Sequence, residues 1–209
     1  MLLIQRIIAK LNSWEDNRKY KNKAPDVFIP EHVVVSNPDN LILNEGAELA
    51  ANSLIMNINA KVIFGRYAGT GPNLTIIAGN HMSSIGKFLL QVTDEDKKGL
   101  DAKGAQDQDV VLEDDVWVAS NVTILNGVRI GRGAVVSAGT VVRSKIPPYA
   151  IVAGNPAKVV GFRFTPAQVL EHEAILYPEE ERLPLETLEK NYKKYYLNRL
   201  KEINQYCRI

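Results

Sequence analysis

Residues 110–145 read VVLEDD VWVASN VTILNG VRIGRG AVVSAG TVVRSK, six blocks of six whose third position is aliphatic every time: Leu112, Val118, Ile124, Ile130, Val136 and Val142. Two residues earlier stand Val110, Val116, Val122, Val128, Ala134 and Thr140, smaller and mostly apolar. A period of six is neither the 3.6 of a helix nor the simple alternation of a strand. It suits a chain that runs a few extended residues, turns and repeats, stacking short parallel strands into a β-helix. Each rung buries an aliphatic side chain above its counterpart in the rung below, so the inward residues form one continuous column.

The 209 residues suffice for one domain, or a domain plus an appendage, with a substantial core. A net charge of +1 gives no global electrostatic case for nucleic acid. A single cysteine, Cys207, leaves no intrachain disulfide and fits a reducing compartment, so a cytoplasmic protein is expected. No apolar run approaches the ~18–20 residues that span a bilayer. The start, MLLIQRIIAKLNSW, is interrupted by Arg6 and Lys10 and makes a poor signal peptide. The sequons at Asn73 and Asn121 fall inside the repeat and read as chance matches.

Three regions follow: an amphipathic N-terminal helix and basic linker over 1–24, a β-helix over 25–162, and a helical extension over 163–209. In the first, Leu3, Ile4, Ile7, Ile8, Leu11 and Trp14 share one helical face, followed by Arg18, Lys19, Lys21 and Lys23. Such a helix would cap the open end of the β-helix; a weak peripheral contact with an anionic membrane is the competing role. The six-residue phase emerges around Val33–Val35 and is clear at Leu41/Leu43, Ala47/Leu49 and Ser53/Ile55. It slips by three across 57–61 and resumes at Val62/Phe64, Ala68/Thr70 and Leu74/Ile76. Gly65, Gly69 and Gly71 are expected at left-handed turns, with Asn44, Asn52, Asn57 and Asn73 able to adopt the same backbone. The Gly69-Thr-Gly71 pair lacks the third glycine of a dinucleotide fingerprint.

The phase breaks at Gly79-Asn80-His81. Residues 82–108 have almost no aliphatic period and carry eight charged side chains between Asp94 and Asp107. They read as a long excursion from the coil, of the kind that often carries function. The repeat resumes at Val110, meets Pro147-Pro148 after Val142, and ends in a partial rung over 151–160. Thr165-Pro166 reads as an N-cap and first residue of a helix running to about Leu176. A second helix is expected from about Leu185 to Gln205, with Leu188, Tyr192, Tyr195, Tyr196, Leu200 and Ile203 as its packing stripe.

The repeat, the histidine at its break and the tail IPPYAIVAGNPAKVV together resemble the left-handed β-helix acyltransferases. The branch most similar holds xenobiotic (streptogramin and chloramphenicol) acetyltransferases and polysaccharide O-acetyltransferases. The likeness rests on Gly65-Arg-Tyr-Ala-Gly-Thr-Gly-Pro72, Ala78-Gly-Asn-His81, Glu113-Asp-Asp-Val-Trp117-Val-Ala119, Gly139-Thr-Val-Val and Ala153-Gly-Asn-Pro-Ala-Lys158, and covers roughly 33–165. It implies an all-β fold with helical appendages: a left-handed parallel β-helix of hexapeptide repeats, an N-terminal capping helix and C-terminal α-helices. It further implies a homotrimer with active sites between subunits, acetyl-CoA as acyl donor, no metal and a small-molecule or glycan acceptor.

Acyl transfer from a thioester to an alcohol or amine needs a base for the acceptor's proton and a slot for the pantetheine arm. Histidine suits the first task, and the chain has three. His32, where the repeat begins, and His172, in the polar run Glu171-His-Glu173, read as ordinary polar residues. His81 stands where the phase breaks and matches the family's catalytic histidine, which implies a general base. Asn80 either supports His81 or the acceptor, or is a turn asparagine; Met82 and Ser84 follow on the acceptor side. The lone thiol lies near the terminus, far in sequence from this motif, against a covalent acyl-enzyme. Trp117, between inward Val116 and Val118, should face outward, as befits a subunit or ligand contact. The resemblance assigns it to the acetyl-CoA region and Lys158 to the nucleotide phosphates, a solvated lysine being the alternative; Ala119 and Ala138, small and near turns, would let pantetheine approach the backbone.

The reading is an O-acetyltransferase acting on a sugar hydroxyl of a surface polysaccharide precursor or related glycan. Alternatives are an antibiotic O-acetyltransferase, an amino-sugar N-acetyltransferase and a non-catalytic trimeric scaffold. Met82-Ser-Ser-Ile-Gly-Lys-Phe88 offers one aromatic where drug-modifying members carry several. A zinc carbonic anhydrase of this fold needs three converging histidines, and none follows His81 until His172.

Overall fold

The computed structural model describes residues 18–93, 95–96 and 107–207. The amphipathic stretch 2–14 and the excursion's middle, 97–106, lie outside them. Among the described residues fourteen strands follow in order: β1 (Val34–Val35), β2 (Leu41–Leu43), β3 (Leu54–Met56), β4 (Val62–Phe64), β5 (Gly69–Thr70), β6 (Thr75–Ile77), β7 (Val110–Leu112), β8 (Trp117–Val118), β9 (Thr123–Leu125), β10 (Arg129–Ile130), β11 (Val135–Val136), β12 (Val141–Val142), β13 (Ala150–Ala153) and β14 (Lys158–Phe162). They form three sheets that the chain visits in rotation. Sheet I is β2-β4-β7-β10, sheet II is β5-β8-β11-β13-β14, and sheet III is β1-β3-β6-β9-β12. Every pairing is parallel except β13 with β14. The result is a β-helix of triangular section.

The inward positions are those of the hexapeptide. Ile55, Ile76, Ile124 and Val142 stack along sheet III, and Thr70, Val118, Val136 and Val152 along sheet II, all buried. Each fully buried aliphatic side chain contributes about 1.5–3 kcal/mol. Thr140 also points inward and is fully buried; its hydroxyl has no hydrogen-bond partner.

The corners are stacked as regularly as the strands. Between sheets I and II, Gly46, Tyr67, Asp115, Gly133 and Tyr149 all take left-handed φ; between II and III, Asn52, Asn73, Asn121 and Gly139 do. Adjacent asparagines join these coils, Asn73 Nδ2 donating to Asn121 Oδ1 at 3.1 Å. The expectation for Gly65, Gly69 and Gly71 is corrected here, because none has positive φ. Gly65 instead passes close to the next coil, where an added Cβ would stand 2.5 Å from Asp114 N. Asn44 and Asn57 likewise keep ordinary φ and spend their side chains on hydrogen bonds to Phe64 and Asn37.

Register measures the coil. Val111 pairs with Arg129, 18 positions on, whereas Leu41 pairs with Val62, 21 on, the extra residues falling at the slip seen in sequence. Val62 pairs with Val110, 48 on. The surplus is the excursion, which leaves the corner between sheets III and I and returns to it without disturbing the ladder.

Tyr20, Val27 and Ile29 are buried at the N-terminal end, and Lys23 bridges Leu43 on the edge of sheet I. At the other end β13 and β14 make an antiparallel hairpin where a partial rung was expected. Helix α1 (Pro166–Leu176) starts at the expected cap, with Thr165 and Gln168 in a reciprocal capping box. The single helix expected over 185–205 is two, α2 (Leu185–Tyr195) and α3 (Leu200–Cys207), broken around Tyr196. Tyr192 and Tyr196 pack on Phe162, and the break turns α3 back over the β13–β14 hairpin. No helix of the described residues is long and apolar enough to cross a membrane.

Candidate active site

His81 lies exposed at the foot of the excursion, three residues beyond buried Ala78 on the corner between sheets III and I. The neck is closed by Gln108, whose N–H donates to the Ala78 carbonyl at 3.0 Å. The Asp107 carboxylate fills the space that a Gly79 side chain would need and accepts from Asn59 Nδ2 at 3.1 Å. Asn80 uses its Oδ1 to accept the His81 backbone N–H at 2.9 Å, so its carbonyl end positions the histidine through the main chain.

Met82 and Ser84 continue into an arm bearing exposed Ile85, Phe88 and Leu90. Lys87 Nζ pairs with Asp96 at 2.6 Å and, with bonds from Thr93, holds the Asp96 carboxyl down to about 2.

The four residues expected to meet acetyl-CoA lie elsewhere. Trp117 faces outward from sheet II, 47% exposed, its ring over Gly69 of the coil below, where an added Cβ would be 3.1 Å from it. Ala119 and Ala138 follow β8 and β11 at the corner between sheets II and III, and Lys158 opens β14 on sheet II. Lys158 is not simply solvated. Its Nζ lies 3.6 Å from Glu202 Oε1 and over the ring of Tyr206, both on α3. In a triangular section the corner carrying His81 is opposite sheet II. One chain therefore does not bring His81 to Trp117, Ala119, Ala138 and Lys158; the core stands between them.

Two features had no signal in the sequence. Glu173, which reads as part of a polar run, is fully buried. Its carboxylate accepts from Tyr149 OH at 3.0 Å, Leu183 N at 2.6 Å and Arg132 Nη1 at 3.2 Å, fastening the helical extension to the coil. Burial first, then the Glu173 charge, pushes the Tyr149 hydroxyl well above its ordinary range. The second is a cleft of about 390 Å³ at the corner between sheets I and II, walled by Tyr67, Leu176 and Tyr177. His172 packs against Tyr149 and Phe164, its Nε2 3.9 Å from Asp115 Oδ2. Among the described residues no group of three or more His, Cys, Asp or Glu could hold a metal ion.

Residues 109–144 match the family model for the bacterial transferase hexapeptide, six repeats. Among solved structures, the hexapeptide chain is similar to a maltose O-acetyltransferase from Clostridium difficile 630, at 22% identity over 71% of this chain and 73% of that one, with a TM-score of 0.58. It is also similar to a mutant of AntD, an N-acyltransferase from Bacillus cereus in complex with dTDP-4-amino-4,6-dideoxyglucose and coenzyme A, at 16% identity over 72% and 87%, with a TM-score of 0.53. At these identities the likeness speaks for the fold, a left-handed β-helix with C-terminal helices. No curated protein sequence matches the chain.

Proposed function

We propose that this chain transfers an acetyl group from acetyl-CoA to a sugar hydroxyl, as a homotrimer whose active sites lie between subunits, with His81 as general base. The observation that carries the proposal is the division of the site. His81 leaves the corner between sheets III and I, while exposed Trp117 and its small neighbours Ala119 and Ala138 lie on and beside sheet II. A second copy related by rotation meets the first through unlike faces, so His81 of one can face sheet II of the next, and three such contacts close a ring. The exposed apolar arm beside His81 suits the same contact. The structural relatives' names, an O-acetyltransferase of maltose and an N-acyltransferase bound to an amino-sugar nucleotide, support a sugar as acceptor. Acetyl-CoA is made and used inside cells, so the reading expects a cytoplasmic reaction.

In this reaction the acceptor hydroxyl gives its proton to the His81 imidazole as its oxygen bonds to the thioester carbonyl carbon. The C–S bond then breaks, and the proton passes from imidazolium to the departing thiolate, which leaves as the coenzyme thiol. Asn80 holds the backbone of His81, and Trp117 lays an aromatic wall along the donor arm. Lys158 would exchange the Glu202 carboxylate for a nucleotide phosphate.

His81→Ala should lower thiol release from acetyl-CoA by a factor of about 100 or more, with trimer mass and melting temperature unchanged because the side chain is exposed. Mixing His81→Ala with Trp117→Ala subunits should restore part of the activity, since a mixed ring contains interfaces with both residues intact. Full turnover by His81→Ala would refute the mechanism. A screen over sugars, amino sugars and antibiotics identifies the acceptor, and an amine preferred over every hydroxyl would replace O- by N-acetylation.

A further inference from the structure

The cleft at the corner between sheets I and II takes no part in the chemistry above, and its construction is costly. Tyr67 holds left-handed backbone, φ 55°, a conformation that strains an L-residue with a ring. The other tyrosine in this corner column, Tyr149, has its ring buried and packed. Tyr67 gains no such burial. Its ring is 65% exposed, lying on Gly46, where no side chain could fit beneath it. Only the contact with Gly46 and a bond to Glu45 offset that strain, and the ring's other face is free to serve something outside the fold.

The surrounding groups define that ligand's chemistry. Opposite the ring, Leu176 is half exposed at the end of α1 and continues into Tyr177, giving the cleft apolar walls. The polar groups are chiefly acceptors. Glu45 receives one bond, from Tyr67 OH at 3.1 Å, and Asp115 receives Arg163 Nη1 at 2.7 Å; both carboxylates keep lone pairs for further donors. Arg66 is already engaged, Nε to Asp114 at 2.8 Å and Nη2 to Glu181 at 2.6 Å. The cleft therefore repels phosphates and nucleotides and suits a neutral ring with an apolar face and outward hydroxyl donors. Its volume of about 390 Å³ is at the lower end of small-molecule sites.

We infer that this cleft is a glycan subsite, stacking one sugar ring on Tyr67 while Glu45 and Asp115 accept its hydroxyls. Resting on the sugar-acetyltransferase reading, it deepens it: Tyr67 is two residues before Gly69, over which Trp117 lies, so an oligosaccharide reacting beside sheet II can reach the corner with its next unit. The acceptor class is then an oligosaccharide, and a single sugar would use the reacting site alone.

Binding of maltotriose, isomaltotriose and chitotriose to the full-length protein is measured by calorimetry, for wild type and Tyr67→Asn. Asparagine tolerates the left-handed backbone, so Tyr67→Asn removes the ring and keeps the fold, as an unchanged melting temperature verifies. At least one trisaccharide should bind, with Kd raised roughly tenfold by Tyr67→Asn, the size expected for losing an aromatic platform. Binding by none of the three, or an equal Kd in Tyr67→Asn, overturns the subsite. Trisaccharide binding that needs Tyr67, in a protein that acetylates no sugar, would instead sink the transferase reading and leave the subsite standing.

Discussion

Replacing Thr140 by valine should stabilise the protein. Thr140 occupies the first position of its hexapeptide, where Val110, Val116, Val122 and Val128 stand in earlier blocks. Its side chain is fully buried and its hydroxyl has no hydrogen-bond partner. A buried hydroxyl left unpaired costs about 1–3 kcal/mol by protein mutational measures. Valine has nearly the same shape, keeps the β-branched rotamer preference of a strand and puts a methyl where the hydroxyl was. The expected gain is therefore about 1–3 kcal/mol, or roughly 2–10 °C in Tm for a chain of this size. Thr140→Ser keeps the unpaired hydroxyl and loses the methyl, so it should fall below wild type. Scanning calorimetry of the three proteins at one protein concentration tests the order Val, Thr, Ser; fixed concentration matters because assembly shifts Tm. A Tm for Thr140→Val below wild type would mean that the hydroxyl is satisfied in the folded protein, and the reasoning would fail.

Glu173→Ala strips partners from Arg132, Tyr149 OH and Leu183 N and should cost about 3–5 kcal/mol, loosening the extension before the coil; limited proteolysis ought to cut first within 166–207. Tyr149→Phe tests the alkaline limb of stability. The folded-state hydroxyl titrates above its ordinary value of 10, so its contribution is complete below pH 10 and is lost as pH rises further. Urea midpoints between pH 8 and 11 should fall less steeply in Tyr149→Phe, from a neutral-pH value lower by about 1–2 kcal/mol. Asn121→Val forces a branched side chain into a corner at φ 59° and should cost about 1–2 kcal/mol or more, whereas Asn121→Gly should stay within about 1 kcal/mol; denaturant unfolding separates the two.

What the sequence made legible was whatever repeats. Leu112, Val118, Ile124, Ile130, Val136 and Val142 are all fully buried because a local period of six dictates which side chain points inward, whatever lies further along the chain. The slip across 57–61 and the outward Trp117 follow from the same arithmetic. The cap at Thr165-Pro166 was readable because capping is decided within four residues. The misses share a different cause. Glu173 looked like solvent-facing polarity because its partners, Arg132 and Tyr149, are 41 and 24 positions away. The break at Tyr196 interrupts a sequence with good helical spacing, since the rings that favour it are packed on distant Phe162. Gly65 has its reason in the adjacent coil, 49 positions on, where it admits Asp114. The candidate site was half readable in the same way. Its residues could be nominated one by one, but their division between a corner and the opposite face exists only in three dimensions.

The neck of the excursion carries a consequence for engineering. Its two ends, Ala78 and Gln108, are joined by one main-chain bond of 3.0 Å, and strands on either side keep their pairing across it. A peptide whose ends are held that closely behaves as a cassette: closure entropy grows only with the logarithm of length, about 0.6 kcal/mol per doubling. Loops of quite different size could be spliced between His81 and Asp107 at little thermodynamic expense, leaving the prism and the neck unchanged.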